Sequence, residues 1–129
     1  GEFSRLTGLP VERVTAEPVP LAEAFAAEYG CTILLKGHQT VVTDGHETYT
    51  VDRGGAGMAT AGSGDVLSGI LTGLLGYLPL TPETVAAGAT LAGIAGEIAE
   101  GRGTDITMIA SDTVAALPDA VRRVRAEGQ

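Results

Sequence analysis

The chain has 129 residues, 44% of them hydrophobic, and 8 Lys+Arg against 16 Asp+Glu for a formal charge of −8. It is therefore too apolar for a disordered chain, and long enough to bury roughly two-thirds of its unfolded surface without disulfide or metal staples. The acidic balance, with no basic run longer than Arg122-Arg123-Val124-Arg125, argues against nucleic acid as a partner; the longest apolar stretch, Val66 to Leu80, is too short and glycine-broken for a membrane span, and no leader segment is read at the start.

A single cysteine, Cys31, can form neither an internal disulfide nor a zinc site, which fits the cytoplasm. With 19 Gly, 4% aromatic residues and no Trp, the core is expected to consist of Ala, Val, Leu and Ile, as in an α/β protein with closely apposed layers.

In chain order, Pro20, Leu21, Ala24, Phe25 and Tyr29, closed by Gly30, predict a helix over about 20–29. Cys31 to Lys36 reads as a short strand buried on both faces. Thr40–Thr43 and Glu47–Val51 are β-branched segments flanking Asp44-Gly45, the signature of a tight antiparallel hairpin. A glycine-rich loop, Arg53 to Asp65, feeds a helix whose apolar residues Val66, Leu67, Ile70, Leu71, Leu74 and Leu75 share one stripe. Gly69, Gly73 and Gly76 form a second stripe and cost helix propensity, roughly 1 kcal/mol each, so a backbone is expected to pack closely against them. Pro79 to Pro82 breaks the chain, Ala86 to Glu100 predicts another helix ended by Gly101, and Ser111-Asp112 reads as the cap of a last helix, with Pro118 opening its second half.

The strongest chemical signal is Ala61-Gly62-Ser63-Gly64-Asp65 opening a helix. Glycines let several N–H groups converge, and the helix dipole reinforces an anion placed there. The loop is neither a Walker A motif nor a dinucleotide fingerprint, because the following Lys-Ser/Thr and the required glycine spacing are missing. Asp65 has two readings: complement to the helix dipole, or general base taking a proton from a hydroxyl that attacks a phosphoryl group. Lys36-Gly37-His38-Gln39-Thr40 follows a strand end, where open α/β sheets bind ligands; Lys36 suits a phosphate and Thr40 a hydrogen bond to one, although a solvated turn has the same composition. His38 and His46 read as surface histidines without companions for a metal, with a place near a ligand as the alternative for His38; Cys31 reads as a small buried hydrophobe, and Arg53 and Arg102 as solvated loop arginines, with phosphate contact as the alternative. Glu2 is either a site residue or a residue foreign to the domain.

Taken together, residues 1–6 (Gly-Glu-Phe-Ser-Arg-Leu), 35–42 (Leu-Lys-Gly-His-Gln-Thr-Val-Val), 57–69 (Gly-Met-Ala-Thr-Ala-Gly-Ser-Gly-Asp-Val-Leu-Ser-Gly) and 110–112 (Ala-Ser-Asp) resemble the ADP-dependent NAD(P)HX dehydratases, over essentially the whole chain. The resemblance implies a ribokinase-like three-layer αβα sandwich, and repair of hydrated NADH and NADPH. The nucleotide phosphorylates the hydroxyl of the hydrate, phosphate is eliminated, and NAD(P)H returns with AMP and phosphate released. It further implies that Lys36, Gly37, His38, Gln39, Thr40 and Gly64 contact the nucleotide, that Asp65 contacts substrate and acts as base, and that Mg2+ assists, with no motif marking its ligands. In the family a His-Pro and a long amino-terminal portion precede the Gly-Glu segment, so residues 1–129 are expected to be the carboxy-terminal portion of one domain. Its strand 31–36 would then present a bare edge, covered by a homo-oligomer or by the missing piece. Two other readings use the same residues: a ribokinase-like small-molecule kinase, and a non-catalytic nucleotide-binding fragment.

Overall fold

A computed structural model describes residues 1–128. They fall into two units, residues 1–51 with 81–86, and residues 52–80 with the chain from 87 onward.

In the first unit, three helices precede a three-stranded sheet: α1 (Glu2–Thr7), α2 (Val11–Ala16) and α3 (Pro18–Tyr29), then β1 (Ile33–Leu35), β2 (Thr40–Thr43) and β3 (Thr48–Val51). Gly8 stops α1 in a left-handed conformation at φ 72°. α3 starts two residues before the predicted helix, with proline in its first turn, and ends at Gly30 as expected (φ 61°). Its inward residues are Ala22 and Ala26, while Phe25 stacks edge-on against Phe3 at 5.4 Å between ring centroids. The sheet order is β1-β2-β3, antiparallel throughout, with Leu34 opposite Val42 and Val42 opposite Tyr49. The predicted hairpin is present: Gly45 sits at φ 91°, and Asp44 Oδ1 accepts the N–H groups of His46 and Glu47, both at 2.9 Å. Val41, Val42 and Thr43 are fully buried. The Thr43 hydroxyl is satisfied by donating to the Glu47 carbonyl and accepting the Gly45 N–H.

Two expectations fail here. The strand over 31–36 is not buried on both faces: Ile33, Leu34 and Leu35 are half-buried, because β1 is a sheet edge paired only with β2 and lies along an apolar cavity. Cys31 is exposed rather than buried, since the chain has just left α3 through Gly30 and has not yet entered the sheet.

The second unit contains a 3-10 turn at Ala56–Met58, α4 (Ser63–Leu75), α5 (Pro82–Arg102, its first turn counted with the first unit) and α6 (Ala110–Glu127). Its core is Ile94, Ala95, Ala99, Met108, Ala116 and Ala120, joined by Met58, Leu91, Ile98 and Leu117. α5 runs through Gly101 to Arg102, whose guanidinium pairs with Asp119 of α6, so Arg102 is a tethered helix residue and not a loop arginine. Ser111-Asp112 does not supply the N-cap residue. The helix begins one position earlier, and Asp112 reaches back to accept the Ile109 N–H at 2.9 Å.

The glycine stripe of α4 also behaves differently from expectation. A Cβ at Gly69 or Gly73 would meet nothing within 4 Å, and one at Gly76 would meet only carbonyls of its own helix end. Close approach occurs instead on α5. Leu71 and Leu74 of α4 rest on Gly88, Arg53 lies across Gly93, and Met58 lies across Gly96, with hypothetical Cβ distances of 2.6, 2.6 and 2.2 Å to the nearest atoms. No residue of α4 is buried.

Candidate functional site

The loop between β1 and β2 carries four of the five residues expected to meet nucleotide. Lys36, Gly37, His38 and Gln39 are exposed and line a cavity of about 740 Å³ with Glu2, Phe3, Val14 and Val41 among its other walls. The walls are mostly apolar, with Glu2, Thr15 and this loop as the polar exceptions, an arrangement suited to a ligand with an apolar body and a charged or polar end. Thr40, the fifth, opens β2 opposite Val51 and is half-buried. Glu2 faces the same cavity; its carboxyl is held below the usual range by its own backbone N–H first, then by Arg5 and, more weakly, Lys36.

Gly64 and Asp65 belong to the second unit, in the first turn of α4. The turn is built by Gly62, whose φ of 85° is left-handed, a conformation that costs any other residue roughly 1–2 kcal/mol. Ser63 N–H returns to the Thr60 carbonyl, and Val66 N–H to that of Gly62. Among the described residues the N–H groups of Gly64 and Asp65 meet no acceptor. Two free donors thus stand at the positive end of a thirteen-residue helix whose first turn also carries the exposed Asp65, a geometry that can accept an anion.

Sequence reasoning missed two features of this region. Ala110 at the start of α6 lies against Gly62, 3.3 Å from a hypothetical Cβ there, so the 110–112 segment borders the turn. Glu97 and Glu100 of α5 hold the glycine-rich loop: Glu97 pairs with Arg53 at 2.8 Å and accepts the Gly54 N–H at 2.9 Å, and Glu100 accepts the Gly57 N–H at 3.2 Å. Arg53 is thus ion-paired, not simply solvated. Two glutamates three residues apart on a helix also describe an ordinary solvated face, which is why the spacing alone does not reveal them.

Residues 1–119 match the family model described as NAD(P)H-hydrate dehydratase. The chain belongs to this family. It is 42% identical over 123 residues to the ADP-dependent (S)-NAD(P)H-hydrate dehydratase of Cenarchaeum symbiosum, covering 95% of this chain and 42% of that protein. It is 40% identical to the bifunctional NAD(P)H-hydrate repair enzyme of Moorella thermoacetica, of which it covers 24%. Among solved structures, the ADP/ATP-dependent NAD(P)H-hydrate dehydratase of Bacillus subtilis, co-crystallized with ATP and Mg2+, superposes with a TM-score of 0.88 at 30% identity, over 95% of this chain and 45% of that one. A ribokinase-like superfamily protein of Enterococcus faecalis gives 0.79 at 32% identity, over 95% and 41%. The expected ribokinase-like α/β fold therefore holds, and the chain spans less than half the length of each of these relatives. No helix among the described residues is long and apolar enough to cross a membrane.

Proposed function

We propose that this chain carries the nucleotide-binding and proton-accepting residues of an ADP-dependent dehydratase that returns NAD(P)HX to NAD(P)H. The observation that carries the reading is the turn at Gly62–Asp65 in a chain of this family: two unpaired N–H donors beside an exposed carboxylate. Lys36, Gly37, His38, Gln39, Thr40 and Gly64 bind the nucleotide. Asp65 contacts the substrate hydroxyl and takes its proton as the oxygen attacks the terminal phosphoryl group of ADP; AMP leaves, and elimination of phosphate then restores the reduced nicotinamide. The donors of Gly64 and Asp65 stabilise charge developing on the phosphoryl oxygens.

No group of three or more His, Cys, Asp or Glu among the described residues is arranged to hold a metal ion. Mg2+ is commonly held by one or two carboxylates together with substrate phosphates, so in this reading it enters with the nucleotide's phosphates, and no step is routed through it.

We further infer that residues 1–129 form the carboxy-terminal portion of one ribokinase-like domain, and that the free edge of β1 is covered by the remainder of that domain or by a second copy of the chain, in the cytoplasm. The unpaired strand edge, the apolar cavity beside it and the coverage of less than half of each relative support this.

The test is phosphate release and recovery of NADH absorbance from hydrated NADH, with ADP and Mg2+, for the chain alone and for a version extended at its amino terminus. Turnover in the extended protein that disappears in Asp65→Asn with unchanged melting supports the assignment. Full activity in Asp65→Asn overturns the base, and a stable phosphorylated substrate in place of free phosphate overturns the dehydratase in favour of a kinase.

A further inference from the structure

Residues 52–62 contain no α-helix or strand and include four glycines, the residue that loses most conformational freedom on ordering. Left to itself such a loop would sample many conformations, and the Gly62–Asp65 turn at its end would seldom hold its donors at a fixed place. The loop is instead laid along one face of α5. Arg53 and Met58 cross that helix at Gly93 and Gly96, where a hypothetical Cβ would come within 2.6 and 2.2 Å of them. Between these two crossings, Glu97 bridges the Arg53 guanidinium and the Gly54 N–H, and Glu100 takes the Gly57 N–H. From Met58 the chain reaches Gly62 through turns closed by Met58 N–H to Gly55, Ala59 N–H to Ala56 and Ser63 N–H to Thr60. With these turns in place, fixing Gly57 fixes the direction in which Gly62 enters α4.

We propose that Glu97 and Glu100 are positioning residues for the anion-accepting turn, acting through the backbone of the loop and not by touching a ligand. The proposal rests on the reading of Gly64 and Asp65 as the phosphate-facing groups. Two carboxylates near an anion site are unfavourable unless their charge is satisfied. Here one is neutralised by Arg53, and both accept N–H groups, so their charge is spent on the loop.

The experiment compares wild type with Glu100→Ala, Glu100→Gln and Arg53→Gln, each in the amino-terminally extended protein, by amide hydrogen exchange, and by binding of ADP and of adenosine. Losing a hydrogen bond to a carboxylate costs enough to raise local opening by about tenfold or more. Glu100→Ala is expected to speed exchange about tenfold at the bonded amides of Gly57, Met58, Ala59, Ser63 and Val66 and to weaken ADP by a similar factor while leaving adenosine unchanged. Glu100→Gln, which keeps an acceptor oxygen, is expected within about twofold of wild type. Arg53→Gln, which leaves α5 intact, should show the same pattern more weakly, and decides the matter if Glu100→Ala does not fold. Faster exchange confined to residues 54–57, or equal loss of ADP and adenosine alongside a lowered melting temperature, overturns the proposal. An amino-terminally extended wild-type protein that binds no ADP refutes the proposed function instead, while the exchange pattern still decides whether the carboxylates hold the turn.

Discussion

Glycine to alanine in two helices of the second unit should change stability in opposite directions. At Gly69 and Gly73 of α4 an added methyl meets nothing within 4 Å, so the substitution recovers only helix propensity, about 1 kcal/mol each. For a domain of this size that corresponds to a rise of roughly 3–5 °C in melting temperature per site. At Gly93 of α5 the methyl would lie 2.6 Å from Arg53 Cβ, 2.7 Å from its carbonyl carbon and 2.8 Å from its oxygen. Backbone atoms cannot rotate away, so the loop must lift off the helix. Overpacking at the upper end of its usual range, about 3 kcal/mol, outweighs the propensity gain and leaves a net loss of about 2 kcal/mol. Urea denaturation of Gly69→Ala, Gly73→Ala and Gly93→Ala measures all three as midpoint changes at constant slope. If Gly69→Ala destabilises the chain, its face of α4 is covered in solution, and the open-face reasoning is wrong. If Gly93→Ala is neutral, Arg53 does not lie on α5.

Gly45→Ala should lose about 3 kcal/mol, because it combines a left-handed φ of 91° with a methyl 2.9 Å from Ala27 N and Cβ; a midpoint within error of wild type would mean the turn relaxes freely. Cys31 is exposed, so it should react fully with a thiol reagent in the folded chain, and Cys31→Ser should shift stability by less than about 0.5 kcal/mol; a thiol protected until unfolding would place it under cover. Arg102 above all, and then Arg122, holds the Asp119 carboxyl below its ordinary value of 3.8. Its contribution is therefore fully present above about pH 4 and is lost as pH falls through the lower folded value. The stability difference between wild type and Asp119→Asn should accordingly shrink on acidification below pH 4, and a difference that grows there would contradict the pairing.

The parts of the fold that were legible are those whose determinants are local. Alternating β-branched residues around Asp44-Gly45 specify the hairpin whatever surrounds it, and Pro18 to Gly30 carries its own start and stop signals. The turn that opens α4 was legible for the same reason, since Gly62-Ser63-Gly64-Asp65 at a helix start determines donor geometry within a few residues. Gly101 misled because a glycine near a helix end stops it only if nothing holds the next turn, and Arg102 is held by Asp119. The clasp of Glu97 and Glu100 on the loop was illegible because it joins residues 43 apart in sequence, and nothing in the local pattern of α5 distinguishes it from a solvated face.

The remaining misreadings have a common physical origin. An apolar run such as 33–35, a glycine stripe such as 69 and 73, and a helix as apolar as α4 all signal burial, and the composition predicted a core containing leucine. Among the described residues no leucine is buried, and the buried apolar set is Ala and Val with Phe3, Ile94 and Met108. Full burial of a leucine is worth about 1.5–3 kcal/mol, so a sequence that spends thirteen of them on partly open faces leaves much of its hydrophobic driving force unrealised in this chain alone. The sequence pattern reports the environment each residue is suited to, whereas the structure reports the environment this chain supplies. The two diverge at the β1 edge and along α4, the surfaces that the proposed remainder of the domain would cover.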